Sequence, residues 1–260
     1  MRPEINQATK HGGRGISVGS AAVVPRMLAA AICVGVSAGC VGTVGGEAVR
    51  KQAVGPRDAL PSENQVAQAV GNLLDPTSPP LIGGISLLPN GIRDSEEVTP
   101  LECLGAATPL MRVVYERGDV RAVGLQDFSR YGEGLTVSSA HTGVVQFGSP
   151  AEAARMFDAF AEQWRACADT QVSVRVTANS ALDWTVTDVR ESDGIVSATV
   201  FNGETERQAA FPTEHAIGLA EEYIIDVDVA VTAPEPSQRV AAGRAVELVR
   251  LIRDNIAADR

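Results

Sequence analysis

Hydrophobic and polar positions divide the chain into three regimes. Met27 to Ala38 is an unbroken run of apolar and small residues, with Arg26 immediately before it. Residues 41–59 mix Gly, Pro and charge without any period. Beyond them, apolar positions recur at helix or strand spacing almost to the C-terminus.

In that third regime, Ser62-Glu63-Asn64-Gln65 forms a capping-box pattern that opens a helix to about Leu74, broken by Asp75 to Pro80. Pro89-Asn90-Gly91 reads as a turn, and Pro100-Leu101-Glu102-Cys103 starts a short helical turn. Runs 120–128 and 134–147 read as strands around the turn Tyr131-Gly132-Glu133-Gly134. Ser149 as N-cap, Pro150 at the first helical position and Glu152 completing a capping box open the clearest helix. Its stripe is Ala153, Phe157, Phe160, Trp164 and Cys167. Three strands follow at about 171–177, 182–190 and 194–202, the last two joined by the hairpin turn Ser192-Asp193-Gly194. Tyr223, Ile225, Val227, Val229 and Val231 alternate with Asp226, Asp228 and Ala230, the pattern of a half-buried strand. Ser237 is placed to cap a last helix through about Ile256, with Ala241, Ala245, Leu248, Ile252 and Ile256 as its stripe. Consecutive strands between two long helices predict a single α+β domain, a mainly antiparallel sheet packed with helices.

The first regime has the form of a leader: Arg2, Lys10, Arg14 and Arg26 precede an apolar run shorter than the roughly 20 residues a membrane span needs. It ends in Ser37-Ala38-Gly39-Cys40, which resembles a bacterial lipobox except that Ser37 stands where Leu is usual. Residues 1–39 are therefore expected to be a signal peptide, and Cys40 the lipidated first residue of the mature protein. Residues 40–59 then form a tether and 60–260 the domain. A plain anchor continuing through Val41, Gly42 and Val44 is the alternative. Two or more acyl chains hold a protein stably on a bilayer.

Charge narrows the partners. Removing residues 1–39 takes four of 22 basic and one of 32 acidic residues, leaving 18 against 31 and a net charge of −13. That disfavours nucleic acid and anionic lipid surfaces as partners. Basic residues are nearly all Arg, and Ala, Val and Gly abound, the usage of a GC-rich bacterium. Past the leader and Cys40, only Cys103 and Cys167 remain. In an oxidising compartment such a pair is expected to form a disulfide, worth roughly 4 kcal/mol by chain entropy; the alternative is a reactive or metal-binding thiol.

Several of these features together resemble the extracellular sensor-domain family of mycobacterial PknH-type serine/threonine kinases, which includes free-standing lipoproteins. They are Pro100-x-x-Cys103, Phe147-x-Ser149-x-x-x-Ala153 opening a helix, Trp164-x-x-Cys167 ending it, Trp184 on the next strand, and a hydrophobic strand before a terminal amphipathic helix. The resemblance covers about residues 60–258. It implies a sandwich-like α/β domain with a cleft for an extracytoplasmic ligand. Two departures mark this chain: its 260 residues include no kinase domain, and they lack the second cysteine pair associated with the kinase-attached version.

No catalytic constellation assembles from the sequence. Gly35-Val36-Ser37-Ala38-Gly39 matches a nucleophile elbow but lies in the leader, without the strand and helix that motif needs. His141 and His215 have no His or Cys at metal-ligand spacing and read as sheet or loop residues. Asp226 and Asp228 share a strand face, Cα atoms about 6–7 Å apart, and paired carboxylates can in principle do glycosidic acid–base chemistry. They lie opposite the apolar positions, where solvent-facing charge is expected. Arg117-Gly118-Asp119 reads as a turn before a strand. Trp164 belongs to the helix stripe. Trp184, the turn residue Tyr131 and its neighbour Arg130 are the candidate ligand contacts, by stacking and by anion pairing. The expected function is thus a non-catalytic, lipid-anchored envelope domain of sensor type, with no cofactor or metal, binding an extracytoplasmic ligand. The alternative is a structural or protein-interaction module of the envelope.

Overall fold

The computed structural model describes residues 54–177, 180–204, 211–232 and 243–258. The leader, Cys40 and the Ser237 cap lie outside them. Two short helices come first, α1 (Pro56–Ala59) and α2 (Glu63–Val70), then the small edge strands β1 (Asp75–Pro76), β2 (Leu81–Gly83) and β3 (Val98–Thr99). A 3-10 turn at Leu101–Cys103 runs into α3 (Leu104–Ala107), and α4 (Arg112–Tyr115) follows. The long elements are β4 (Val120–Ser129), β5 (Val137–Phe147), α5 (Pro150–Ala166), β6 (Thr170–Thr177), β7 (Ser180–Ser192), β8 (Ile195–Glu204), β9 (Phe211–Ala220), β10 (Tyr223–Val231) and α6 (Gly243–Ala258).

Local chemistry sets the element boundaries. Ser62 Oγ accepts from the Gln65 N–H while the Gln65 side chain accepts from the Ser62 N–H, the full capping box read from sequence. Gly71, at φ 83°, ends α2 in the left-handed conformation that an L side chain resists. At α5 the box is only half made. Ser149 Oγ caps the Glu152 N–H, but the Glu152 carboxylate accepts from the Asp119 N–H at 2.6 Å instead, tying the helix to the start of β4. Asp193 and Gly194, at φ 53° and 67°, make the tight turn between β7 and β8.

All pairings are antiparallel, in the order β1-β4-β5-β10-β9-β8-β7-β6-β3, with β2 also on β4. The ten-stranded sheet is covered on both faces. One core, including Val145, Phe157, Phe160, Trp164, Ile217 and Ile224, lies under α3 and α5. The other, including Val66, Val144, Ile225, Val227, Leu248 and Ile252, lies under α1, α2 and α6. The result is helix–sheet–helix layering. The Cys103–Cys167 disulfide, Cα atoms 5.6 Å apart, staples the 3-10 turn to the end of α5.

Three differences from the sequence reading have physical causes. β9 falls where the pattern predicts no strand, because Pro212, Glu214, His215 and Gly218 hide its period. β10 is buried on both faces rather than one, since helices cover each. Residues 54–59, assigned to the tether, pack into the second core: Ala59 is wholly buried, Tyr223 donates to the Val54 carbonyl, and Asn255 donates to the Ala59 and Leu60 carbonyls.

Candidate functional site

Asp226, which the pattern placed toward solvent, and His215, read as a sheet or loop residue, sit at the centre of the molecule. Asp226 is 2% exposed and His215 1%, which overturns the expectation of a solvent-facing Asp226–Asp228 pair. Both strands alternate normally; the face carrying these residues is roofed by α3, α4 and α5. Asp226 Oδ2 accepts from the Tyr115 hydroxyl at 2.6 Å and from the Leu110 N–H at 2.8 Å. Asp226 Oδ1 meets His215 Nε2 at 2.9 Å, and His215 Nδ1 meets the Ala106 carbonyl at 3.1 Å. The Trp164 ring packs on the imidazole, centroids 4.5 Å apart, and Tyr115 meets Phe160 edge-on at 5.3 Å. One carboxylate therefore gathers the loop between α3 and α4, the end of α4, and β9.

That loop is strained. Leu110 has φ 59°, a left-handed conformation costing a branched residue about 1–2 kcal/mol. It is held from two sides: its N–H is bound by Asp226, and its side chain fills the space above Gly143, where a Cβ would overlap it.

Burial alone would push the His215 imidazole down. The hydrogen bond and charge of Asp226 outweigh it, helped by Asp228 and the Ala106 carbonyl, so its pKa is raised above 6.5. Tyr115 is pushed well above 10 by burial and by the Asp226 charge, so its hydroxyl stays a donor. In the next row along the same face, His141 Nδ1 lies 3.0 Å from Asp228 Oδ1, with Asp127 its cross-strand neighbour on β4. The bond to Asp228 is the main cause lifting His141 to about 9, so this half-exposed histidine is a cation near neutral pH, not a general base. On the opposite face, Glu214 is wholly buried and accepts from the Arg244 and Ala245 N–H groups and from the Arg244 guanidinium, capping α6. Among the described residues, no three His, Cys, Asp or Glu side chains gather as a metal site.

Beside the buried network lies a groove of about 330 Å³ between α4 and α5. Leu101, Val113, Val114, Met156 and Phe160 give it an apolar lining, and Arg117, Glu162 and Gln163 give it polar groups. Arg117 and Glu162 are exposed and take no ion pair among the described residues. A shallower, wider depression of about 680 Å³ lies between the start of α2 and the proline-rich segment around β1, lined by Pro61, Pro76, Pro79, Pro80 and Phe128. The groove's inner wall is α4, and Tyr115 and Phe160 join it to the Asp226 network.

The three candidate contacts named from sequence do not come together. Arg130 donates to Asp75 at 2.8 Å, pinning β1 to the end of β4, and Tyr131 beside it is 89% exposed. Trp184 is half-buried on β7, five strand spacings from β4, or about 24 Å. The pattern does not single out the groove residues, except Phe160 as core and Arg117 as a turn residue. The sequence signal that could have found the groove is the short apolar run Val113-Val114-Tyr115 directly before the charged turn.

A family model described as the PknH-like extracellular domain matches residues 49–255. Among solved structures, the crystal structure of the extracellular domain of PknH from Mycobacterium tuberculosis is similar with a TM-score of 0.64 at 19% identity. The match covers 80% of this chain and 99% of that one. An uncharacterised Mycobacterium smegmatis protein, the Rv0999 ortholog, matches with a TM-score of 0.35 at 13% identity, covering 76% of this chain and 96% of that one. No curated protein matches the chain in sequence.

Proposed function

The chain belongs to the PknH-like extracellular domain family, and from that premise we propose that it is a non-catalytic, lipid-anchored envelope domain that binds a small amphipathic ligand in the groove between α4 and α5. The observation carrying the ligand reading is the groove itself. Its volume is at the small end of the range for ligand pockets, and its apolar lining carries a few convergent polar groups, the usual make-up of such sites. An apolar body would lie on Val113, Val114, Met156 and Phe160, with its polar groups reaching Arg117, Glu162 or Gln163. The titratable groups nearby are consumed by structure: His215, Asp226 and Tyr115 satisfy one another, and His141 is held by Asp228. That favours binding over catalysis. The anchor reading rests on the Ala38-Gly39-Cys40 site after a short apolar run.

Two experiments test the two halves separately. Ala159 is exposed on the groove's margin, so Ala159→Trp fills it without touching the core. Unbiased mass spectrometry of small molecules retained by the mature chain from native envelope should find species that the variant loses; identical profiles would refute the groove. Cys40→Ala should release the protein from the membrane fraction or leave it unprocessed, and unchanged lipid labelling would refute the anchor.

A further inference from the structure

The hydrogen-bond partners of His215 fix where its protons are. The Ala106 carbonyl can only accept, so Nδ1 carries a hydrogen. Asp226 Oδ2 already accepts from both the Tyr115 hydroxyl and the Leu110 N–H. Its remaining oxygen lies 2.9 Å from Nε2, and that contact needs a hydrogen between them. A neutral imidazole with Nδ1–H would set a lone pair against a carboxylate at that distance.

We infer that His215 is a buried imidazolium whose second proton, shared with Asp226, locks the loop between α3 and α4 onto the sheet and so fixes the inner wall of the groove. Release of this proton to solvent leaves Nε2 and Oδ1 facing each other with lone pairs. The Asp226 carboxylate then turns or is solvated, and in turning it drops Leu110 and Tyr115. Leu110 has strain to release, and Tyr115 is the last residue of α4, so the wall follows. The lock is a proton-dependent device: closed in acid and near neutrality, opening on the alkaline side. It stands on the geometry of the pair alone. Only its bearing on ligand occupancy rests on the groove reading.

The groups facing His215 are few. On β10 there is Asp228 beside Asp226, and on β5 His141, paired to Asp228 with Asp127 behind it on β4. α4 contributes Tyr115, α3 the Ala106 carbonyl, α5 the uncharged Trp164 and Phe160, and β8 the buried Ala198 opposite His215. Glu214 and Arg244 lie on the other face of the sheet. The charge of Asp228 holds the proton in place, and its partner His141 offsets that charge. His215 is raised above 6.5 in the fold, so its contribution is full below that value and is lost as pH rises through the folded value.

The imidazole ¹⁵N signals of the mature chain read the proton directly, with His141→Gln assigning which ring is which. At neutral pH both ring nitrogens of His215 are expected to be protonated, and a neutral ring there overturns the inference whatever any variant does. Asp226→Asn supplies an amide N–H that can donate to a neutral Nε2 while its oxygen still accepts from Leu110 and Tyr115. This variant should hold a neutral His215 with Nδ1–H alone. Hydrogen exchange of the amides at 110–115 should rise on alkalinisation beyond the base-catalysed rate in the parent chain and not in Asp226→Asn. An equal rise in both would show that the wall does not depend on this proton. Ligand retention plays no part in either readout, so the lock and the groove reading fail separately.

Discussion

Asp226 holds the backbone N–H of Leu110 at 2.8 Å across 116 positions of sequence, and Leu110 is bent into a left-handed conformation where that bond is made. The same carboxylate binds Tyr115 and His215, so its loss leaves a buried cation, a hydroxyl and a strained amide without partners. Asp226→Ala should therefore destabilise the domain by about 3–5 kcal/mol, the cost of breaking one side of a buried ion pair rather than one hydrogen bond. Urea unfolding measures it. A loss under about 1 kcal/mol would mean the network contributes no more than a surface pair.

Gly143 lies directly beneath Leu110. Its added Cβ would overlap both methyls of that side chain, which is buried and cannot swing into solvent. Gly143→Ala is expected to cost about 1–3 kcal/mol as an overpacked core site. Gly91→Ala, where a Cβ meets nothing within 4 Å, should stay within about 0.5 kcal/mol. Equal effects at the two sites in thermal unfolding would contradict the close approach of Leu110 to the sheet.

Besides Tyr115 and Tyr223, three buried or half-buried groups bind protons more tightly in the folded chain than in the unfolded one. His141 is lifted to about 9 by its bond to Asp228, and His215 is raised because Asp226 outweighs burial. Glu214 is raised because desolvation outweighs its bonds to Arg244 and Ala245. A raised folded value gives stability below the unfolded value that is lost as pH climbs through the folded one. Thermal midpoints should thus fall as pH rises from 6.5 toward about 9, the window of His141. His141→Gln should flatten part of that slope. A midpoint rising across this range would show the sign is wrong.

Reducing the Cys103–Cys167 disulfide opens a loop of 64 residues and should lower stability by roughly 4 kcal/mol. The same bond holds the 3-10 turn at Leu101–Cys103, one end of the groove lining. Denaturant unfolding with and without reductant tests it, Cys103→Ser serving as the reduced reference. Equal stability would show that the disulfide does not staple the fold.

What the sequence shows, it shows through period. The stripe Ala153, Phe157, Phe160 and Trp164 is legible because one face of α5 meets one core, and all four residues are buried. β9 is hidden because its polar residues are satisfied by distant partners: Glu214 by the start of α6, His215 by Ala106 and Asp226. A buried Asp and an exposed Asp look alike in a strand pattern. Only the arrival of Tyr115 and Leu110 from over a hundred residues away distinguishes Asp226. The groove is hidden for a related reason, since α4 has only four residues, too few to display a helical period.

Hydrogen exchange would locate the ligand proposed to occupy the groove between α4 and α5. The chain would be compared before and after incubation with small molecules extracted from native envelope. Protection confined to 112–117 and 156–166 is the expected result, absent in Ala159→Trp. Protection centred instead on the depression beside α2, or none in either segment, would contradict it.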